Sequence, residues 1–148
     1  MSLKTQVSDD MKSALRGGEK LRLTTIRMLL AAIKQREVDE RRELSDGDIL
    51  QIVEKLIKQR REAAGQFKSA GRSDLEAREL EETRILSVYL PVQLTEAEIQ
   101  TLLDAAMAET GAAGMKDMGK VMNVLRPRLQ GRADMAQVSA LLKAKLAG

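Results

Sequence analysis

Histidine and cysteine are both absent from this sequence of 148 residues. Without histidine, no side chain is an ordinary general base near neutral pH, and the commonest metal ligand is missing. Without cysteine there is no disulfide framework, no thiolate nucleophile and no thiolate zinc site. Tryptophan is missing too, and the aromatic fraction of 1% amounts to Phe67 and Tyr89. The β-branched and aromatic runs that mark strands do not occur. Nor does a phosphate loop: Gly17-Gly18 and Gly111-Ala-Ala-Gly114 lack both the following Lys-Ser/Thr and a preceding strand. Neighbouring acids such as Glu81-Glu82 and Glu96/Glu98 read as solvated or as complements to a helix dipole rather than as acid–base pairs. Independent catalysis is therefore not expected, and neither a metal nor a cofactor. No apolar stretch reaches the length of a membrane span, and the opening MSLKTQVSDDMK has no apolar signal core. The cytoplasm is the expected location.

What the chain does have is helical periodicity. Hydrophobic residues make up 43%, with eight methionines among them, and Met fills irregular gaps in helical cores. Leu3, Val7, Met11, Ala14 and Leu15 recur at helical spacing up to a Gly17-Gly18 stop. A second helix from near Glu19 carries Ile26, Leu29, Leu30, Ile33 and Val38, with Glu37 four residues before Arg41 in the favourable order. Ser45 and Asp48 read as a short capping box for a third helix with Ile49, Val53 and Ile57 on its stripe, ending near Gly71. Ser73-Asp-Leu-Glu76 predicts a capping box for a fourth helix with Leu80, Ile85, Leu86 and Tyr89, closed by Pro91. Thr95-Glu-Ala-Glu98 opens a fifth helix that runs to Gly111. A sixth begins near Asp117 and is expected to kink or end at Pro127. Asp134 is placed to cap a seventh, which is expected to bury Met135, Val138, Leu141, Leu142 and Leu146. The expected fold is all-α, with a domain of about four helices over residues 1–91 and a compact three-helix domain over 92–148.

Formal charge is +3 from 25 basic and 22 acidic residues, too small an excess to imply nucleic acid by itself. Lys55, Lys58, Arg60 and Arg61 cluster on the third helix, where a solubilising face explains them best. The segment from Lys116 to Arg132 differs. Lys116, Lys120, Arg126, Arg128 and Arg132 stand there against Asp117 alone, and Lys143 and Lys145 could extend the patch. Basic side chains on helix ends and a turn suit the irregular phosphate surface of folded RNA. An ordinary basic surface is the bland alternative. With so few aromatics, recognition would act through shape and backbone rather than base stacking.

Several stretches resemble the YqeY proteins of the GatB/YqeY family: Leu23-Thr-Thr-Ile-Arg27, Leu30-Ala-Ala-Ile-Lys34, Ile57-Lys-Gln-Arg60, Gly71-Arg-Ser-Asp-Leu75 and Tyr89-Leu-Pro-Val-Gln-Leu94. Met118-Gly-Lys-Val-Met122 and Gly131-Arg-Ala-Asp134 complete the pattern. The resemblance implies two helical domains, the second shared with the tail of the GatB subunit of tRNA-dependent amidotransferase, a carbon–nitrogen ligase with glutamine as amide donor. That tail helps to hold tRNA, while the chemistry belongs to other domains and subunits. The implied partners are tRNA and the amidotransferase machinery, with no membrane. Lys120 and Arg132 match the shared tail motif and are the implied phosphate contacts. Gly119 and Gly131 are expected to permit close helix packing and a tight turn, and Met135 departs from the small residue usual there. A protein–protein adaptor without any nucleic-acid role is the other reading.

Overall fold

The computed structural model describes residues 2–129 and 131–147. It has seven α-helices, and no strand among the described residues. The helices are α1 (Leu3–Arg16), α2 (Lys20–Glu40), α3 (Asp46–Ser69), α4 (Ser73–Ser87), α5 (Glu96–Thr110), α6 (Met118–Leu129) and α7 (Met135–Ala147), with a 3-10 turn at Met115–Asp117. They group into two compact units, Met1–Leu90 and Pro91–Gly148.

Helix starts follow the capping chemistry where a side chain can reach back. Ser45 accepts from the Asp48 amide while the Asp48 carboxylate accepts from Ser45, and Thr95 and Glu98 do the same for α5. Each such box satisfies two otherwise orphaned N–H groups. The box predicted at Ser73 does not form. Ser73 is already helical, Arg72 stands at the N-cap without a side-chain bond, and the Asp74 carboxylate is turned back to Arg72 at 3.2 Å. The stops are backbone devices: Gly18, Gly71, Gly111 and Gly131 all have positive φ, which glycine adopts without a Cβ penalty. Pro127 neither ends α6 nor stands outside it; the helix continues to Leu129.

In the first unit the core is built from Val7, Ile26, Leu29, Ile33, Val53 and Leu86, with Tyr89 against them. The Tyr89 hydroxyl donates to Asp10 at 2.7 Å. Val38 and Leu80, expected on apolar stripes, are instead exposed, at 62% and 47%. The opposite surprise is Arg60, which the sequence places in an open cluster with Lys55, Lys58 and Arg61. It is buried. Its Nε lies 3.3 Å from Glu82 Oε2, with both side chains 9% exposed, and its other nitrogens donate to the Leu56 carbonyl at 3.1 Å and to Met28 Sδ at 2.9 Å. Charge inside a helix junction is tolerated only when paired in this way. Glu37 does not bind Arg41 as its spacing suggested. Arg41 leaves the helix in the left-handed conformation, and Glu37 takes Lys4 Nζ at 2.9 Å and the Leu44 amide at 3.0 Å.

The second unit packs Leu103, Val121, Leu125, Leu129, Val138 and Leu142 into its own core. Burying side chains of this size contributes about 1.5–3 kcal/mol each. The Leu94 backbone N–H donates to the Arg132 carbonyl at 2.8 Å, and the Gln93 side-chain Nε2 donates to the Gly131 carbonyl at 2.6 Å. Together they pin the α6–α7 turn to the segment of chain that leads into α5. Gly131, at φ 75°, performs the tight turn expected of it. Gly119 does not permit a close packing: a Cβ there would meet open space.

Candidate nucleic-acid interface

The cations singled out in the sequence lie on α6, α7 and the turns beside them, and helical geometry divides them. At about 100° per residue, Arg126 and Arg128 project about 200° apart around α6, on opposite flanks. Arg128 reaches α5, where its two terminal nitrogens donate to Glu109 at 3.1 and 2.8 Å. The guanidinium in turn holds the Glu109 carboxyl below the usual carboxylate range. Arg126 stays exposed on the other flank, its Nη1 3.4 Å from the Asn123 side-chain oxygen.

On α7 the same division recurs. Lys145 donates to Asp104 of α5 at 2.6 Å, while Lys143, about 200° away, is exposed. Acidic residues of α5 thus take the two cations on its side and remove Arg128 and Lys145 from the patch. Neither partner has a local signal, since Glu109 and Asp104 stand 19 and 41 positions from the residues they bind.

Lys116 is exposed in the 3-10 turn and Lys120 in the first turn of α6, while Arg132 is half-buried in the turn before α7. Lys116, Lys120, Arg126, Arg132 and Lys143 pair with no carboxylate among the described residues. Three of the remaining acids accept from backbone amides. Asp117 accepts from the Ala113 amide at 2.8 Å, and this bond, more than the nearby lysines, holds its carboxyl below the usual range. Asp134 accepts from the Ala136 amide at 3.0 Å, and Glu98 closes the Thr95 box. What the second unit offers chemically is hydrogen-bond donors and positive charge, free to take an anion.

A protein-family model described as "Yqey-like protein" matches residues 4–146. Among curated proteins the chain is 38% identical over 104 residues to Altered inheritance of mitochondria protein 41, mitochondrial, of Lachancea thermotolerans, covering 68% of this chain and 55% of that protein. It is 32% identical over 123 residues to the Kluyveromyces lactis protein of the same name, covering 78% and 66%. With the Eremothecium gossypii protein the identity is 37% over 107 residues, covering 70% and 58%. The matches span less than two thirds of the length of these relatives. Their names correct the expectation of a cytoplasmic protein, because they are mitochondrial proteins by name. The physical reason for the error is that a lack of cysteine and of long apolar runs fits the interior of a mitochondrion as well as it fits the cytoplasm. Matched by the family model along nearly its whole length, this chain belongs to the YqeY-like protein family.

Proposed function

We propose that this chain is a non-catalytic tRNA-binding accessory protein of aminoacyl-tRNA metabolism. On this reading residues 1–91 and 92–148 act as two helical domains, the second resembling the tail of the GatB subunit of tRNA-dependent amidotransferase. Lys116, Lys120, Arg126, Arg132 and Lys143 contact phosphate, and Arg128 is the expected contact that drops out. The observation that carries the reading is the disposition of charge in the second unit. Glu98 and Asp134 cap helices, Asp117 holds the Ala113 amide, Glu109 and Asp104 bind Arg128 and Lys145, and five cations are left with no ion-pair partner among the described residues. Release of counterions by those side chains supplies affinity without sequence readout. The missing histidine and cysteine agree with a binding role in which any amide transfer is performed by partners.

The test is tRNA binding by fluorescence anisotropy for the parent and for Lys120→Glu/Arg126→Glu at two salt concentrations. The parent is expected to bind in the micromolar range or more weakly. Its affinity should fall on the order of a hundredfold between 50 and 200 mM salt for four or five phosphate contacts. The double variant should bind at least tenfold more weakly. Equal affinity for parent and variant removes the proposal.

A further inference from the structure

The outer face of α2 carries a pattern that the tail resemblance does not touch. Lys20, Arg27 and Lys34 recur at every seventh position of the helix, and Arg41 follows at the same interval in its C-cap. Seven residues of a straight α-helix advance about 10.5 Å and fall only about 20° short of two full turns. The four positions therefore lie along one ridge about 31 Å long. All four residues are exposed, and none has a carboxylate partner among the described residues. Thr24, Ala31 and Val38 alternate with them on the same face at the same interval, and all three are uncharged and exposed.

Of the acids of α2, Asp39 and Glu40 lie off this ridge and Glu37, four residues before Arg41, flanks its end; all three are occupied. Glu37 binds Lys4 at 2.9 Å, Glu40 binds Arg36 and Arg42 at 2.6 Å, and Asp39 accepts from Gln35 at 2.9 Å. At the N-cap, Glu19 is held by Arg22 at 2.8 Å. A second observation concerns the end of the row. Arg41 has φ 54°, the single positive φ of a non-glycine among the described residues. Glycine ends helices in this conformation without a Cβ penalty, and the cap bonds made here, from the Arg41 and Arg42 backbone N–H groups to the Glu37 carbonyl, are open to glycine at position 41 equally. Folding alone gives no reason for an arginine at that position; extending the row does.

We propose that the outer face of α2 is a second RNA contact, in which Lys20, Arg27, Lys34 and Arg41 each face a phosphate of the tRNA backbone. The inference rests on the reading that tRNA is the ligand. A straight row of cations suits a linear polyanion, and the small Thr24 and Ala31 side chains let the backbone approach. The competing occupant is an acidic helix of a partner protein. Helices that dock in water draw their affinity from a buried apolar seam, and this face offers only Ala31 and Val38 for one. Counterion release needs charge alone, so the polyanion fits better.

The experiment measures binding of total tRNA to the full chain across a salt series, for the parent, for Lys20→Gln/Arg27→Gln/Lys34→Gln, and for Arg41→Gly. Each phosphate contact contributes about 0.7–0.9 to the slope of log affinity against log salt. The triple variant should therefore lower the slope by about 2–3 while far-UV dichroism and melting temperature stay at the parental values. Arg41→Gly should bind several-fold more weakly and yet melt higher, since glycine relieves the strained φ. A parental slope in both variants overturns the ridge, and if Lys120→Glu/Arg126→Glu still loses binding, the proposed function survives that failure. A parent that binds no tRNA at any salt overturns both. Polyglutamate of matched charge that binds as tightly as tRNA, with the same loss in the triple variant, also overturns the ridge as an RNA contact and favours an acidic protein.

Discussion

In residues 1–90 sixteen acidic side chains accompany eighteen basic ones, and in residues 91–148 six accompany seven, so by formal charge the two units hardly differ. Their carboxylates are used differently. In the first unit acids knit separate elements together: Glu37 joins α1, α2 and the loop before α3, Asp48 ties Arg42 to the start of α3, and Glu82 meets the buried Arg60 across α3 and α4. In the second unit Glu109 and Asp104 tie α5 to α6 and to α7, and the acids nearest the other cations, Asp117 and Asp134, accept from backbone amides instead. Net charge is therefore a poor guide to a binding surface. Which cations keep no acid is the informative quantity, and it becomes visible only in the fold.

The comparison is broken most forcefully at Arg60. Glu82→Ala leaves a buried guanidinium without its counter-charge and should destabilise the first unit by roughly 3–5 kcal/mol in urea unfolding, whereas Arg60→Leu/Glu82→Leu should be close to neutral. A near-neutral Glu82→Ala would show that the acid network does not hold that unit together.

Acid should act next, on the acid network of the first unit. The carboxyls of Asp48, Glu37 and Glu40 all lie below their ordinary values, through bonds first from Arg42, the Leu44 amide and Arg36 respectively. A depressed folded pKa stabilises above the unfolded value and is lost as pH falls through the folded one. Below about pH 4 the Glu37 side of the α2–α3 turn should therefore loosen first. The Leu44 amide, bonded to Glu37, should lose protection against exchange relative to its intrinsic rate at each pH, while Ser45, held by the more strongly depressed Asp48, keeps its protection longer. Unchanged protection at Leu44 down to pH 2 would contradict the linkage.

The smallest effect sharpens the division within the second unit. Glu109→Gln releases Arg128, and because exposed ion pairs contribute little to stability, the melting temperature should hardly move. Affinity for tRNA should rise severalfold, as one negative charge goes and one cation is freed. Weaker binding would mean that Arg128 acts by positioning α6 rather than as a spare charge.

Much of this architecture is legible in the sequence, for reasons that are local. Ser45 with Asp48 and Thr95 with Glu98 act within one turn, and Gly18, Gly111 and Gly131 act on their own backbone. Ser73 misled because α4 starts one residue early: Arg72 takes the N-cap position and Ser73 is already inside the helix. Pro127 does not end α6, because the buried Leu125 and Leu129 on either side of it hold the turn despite the lost N–H. Burial of Arg60 and exposure of Val38 depend on where neighbouring helices lie, which a 3.6-residue period does not specify. The same holds for the basic segment: spacing places its residues on a helix, but only tertiary approach of Glu109 removes Arg128 from it.

Tyr89, buried at 5% exposure and bonded to Asp10, is the single tyrosine in a chain without tryptophan, and the single phenylalanine, Phe67, also precedes residue 91. The near-ultraviolet spectrum and intrinsic emission consequently see one half of the molecule and are blind to the other. Heating or denaturant followed by those signals reports on α1 to α4, while a far-ultraviolet trace sums both halves. Divergence of the two curves would time the melting of each unit without any label being attached.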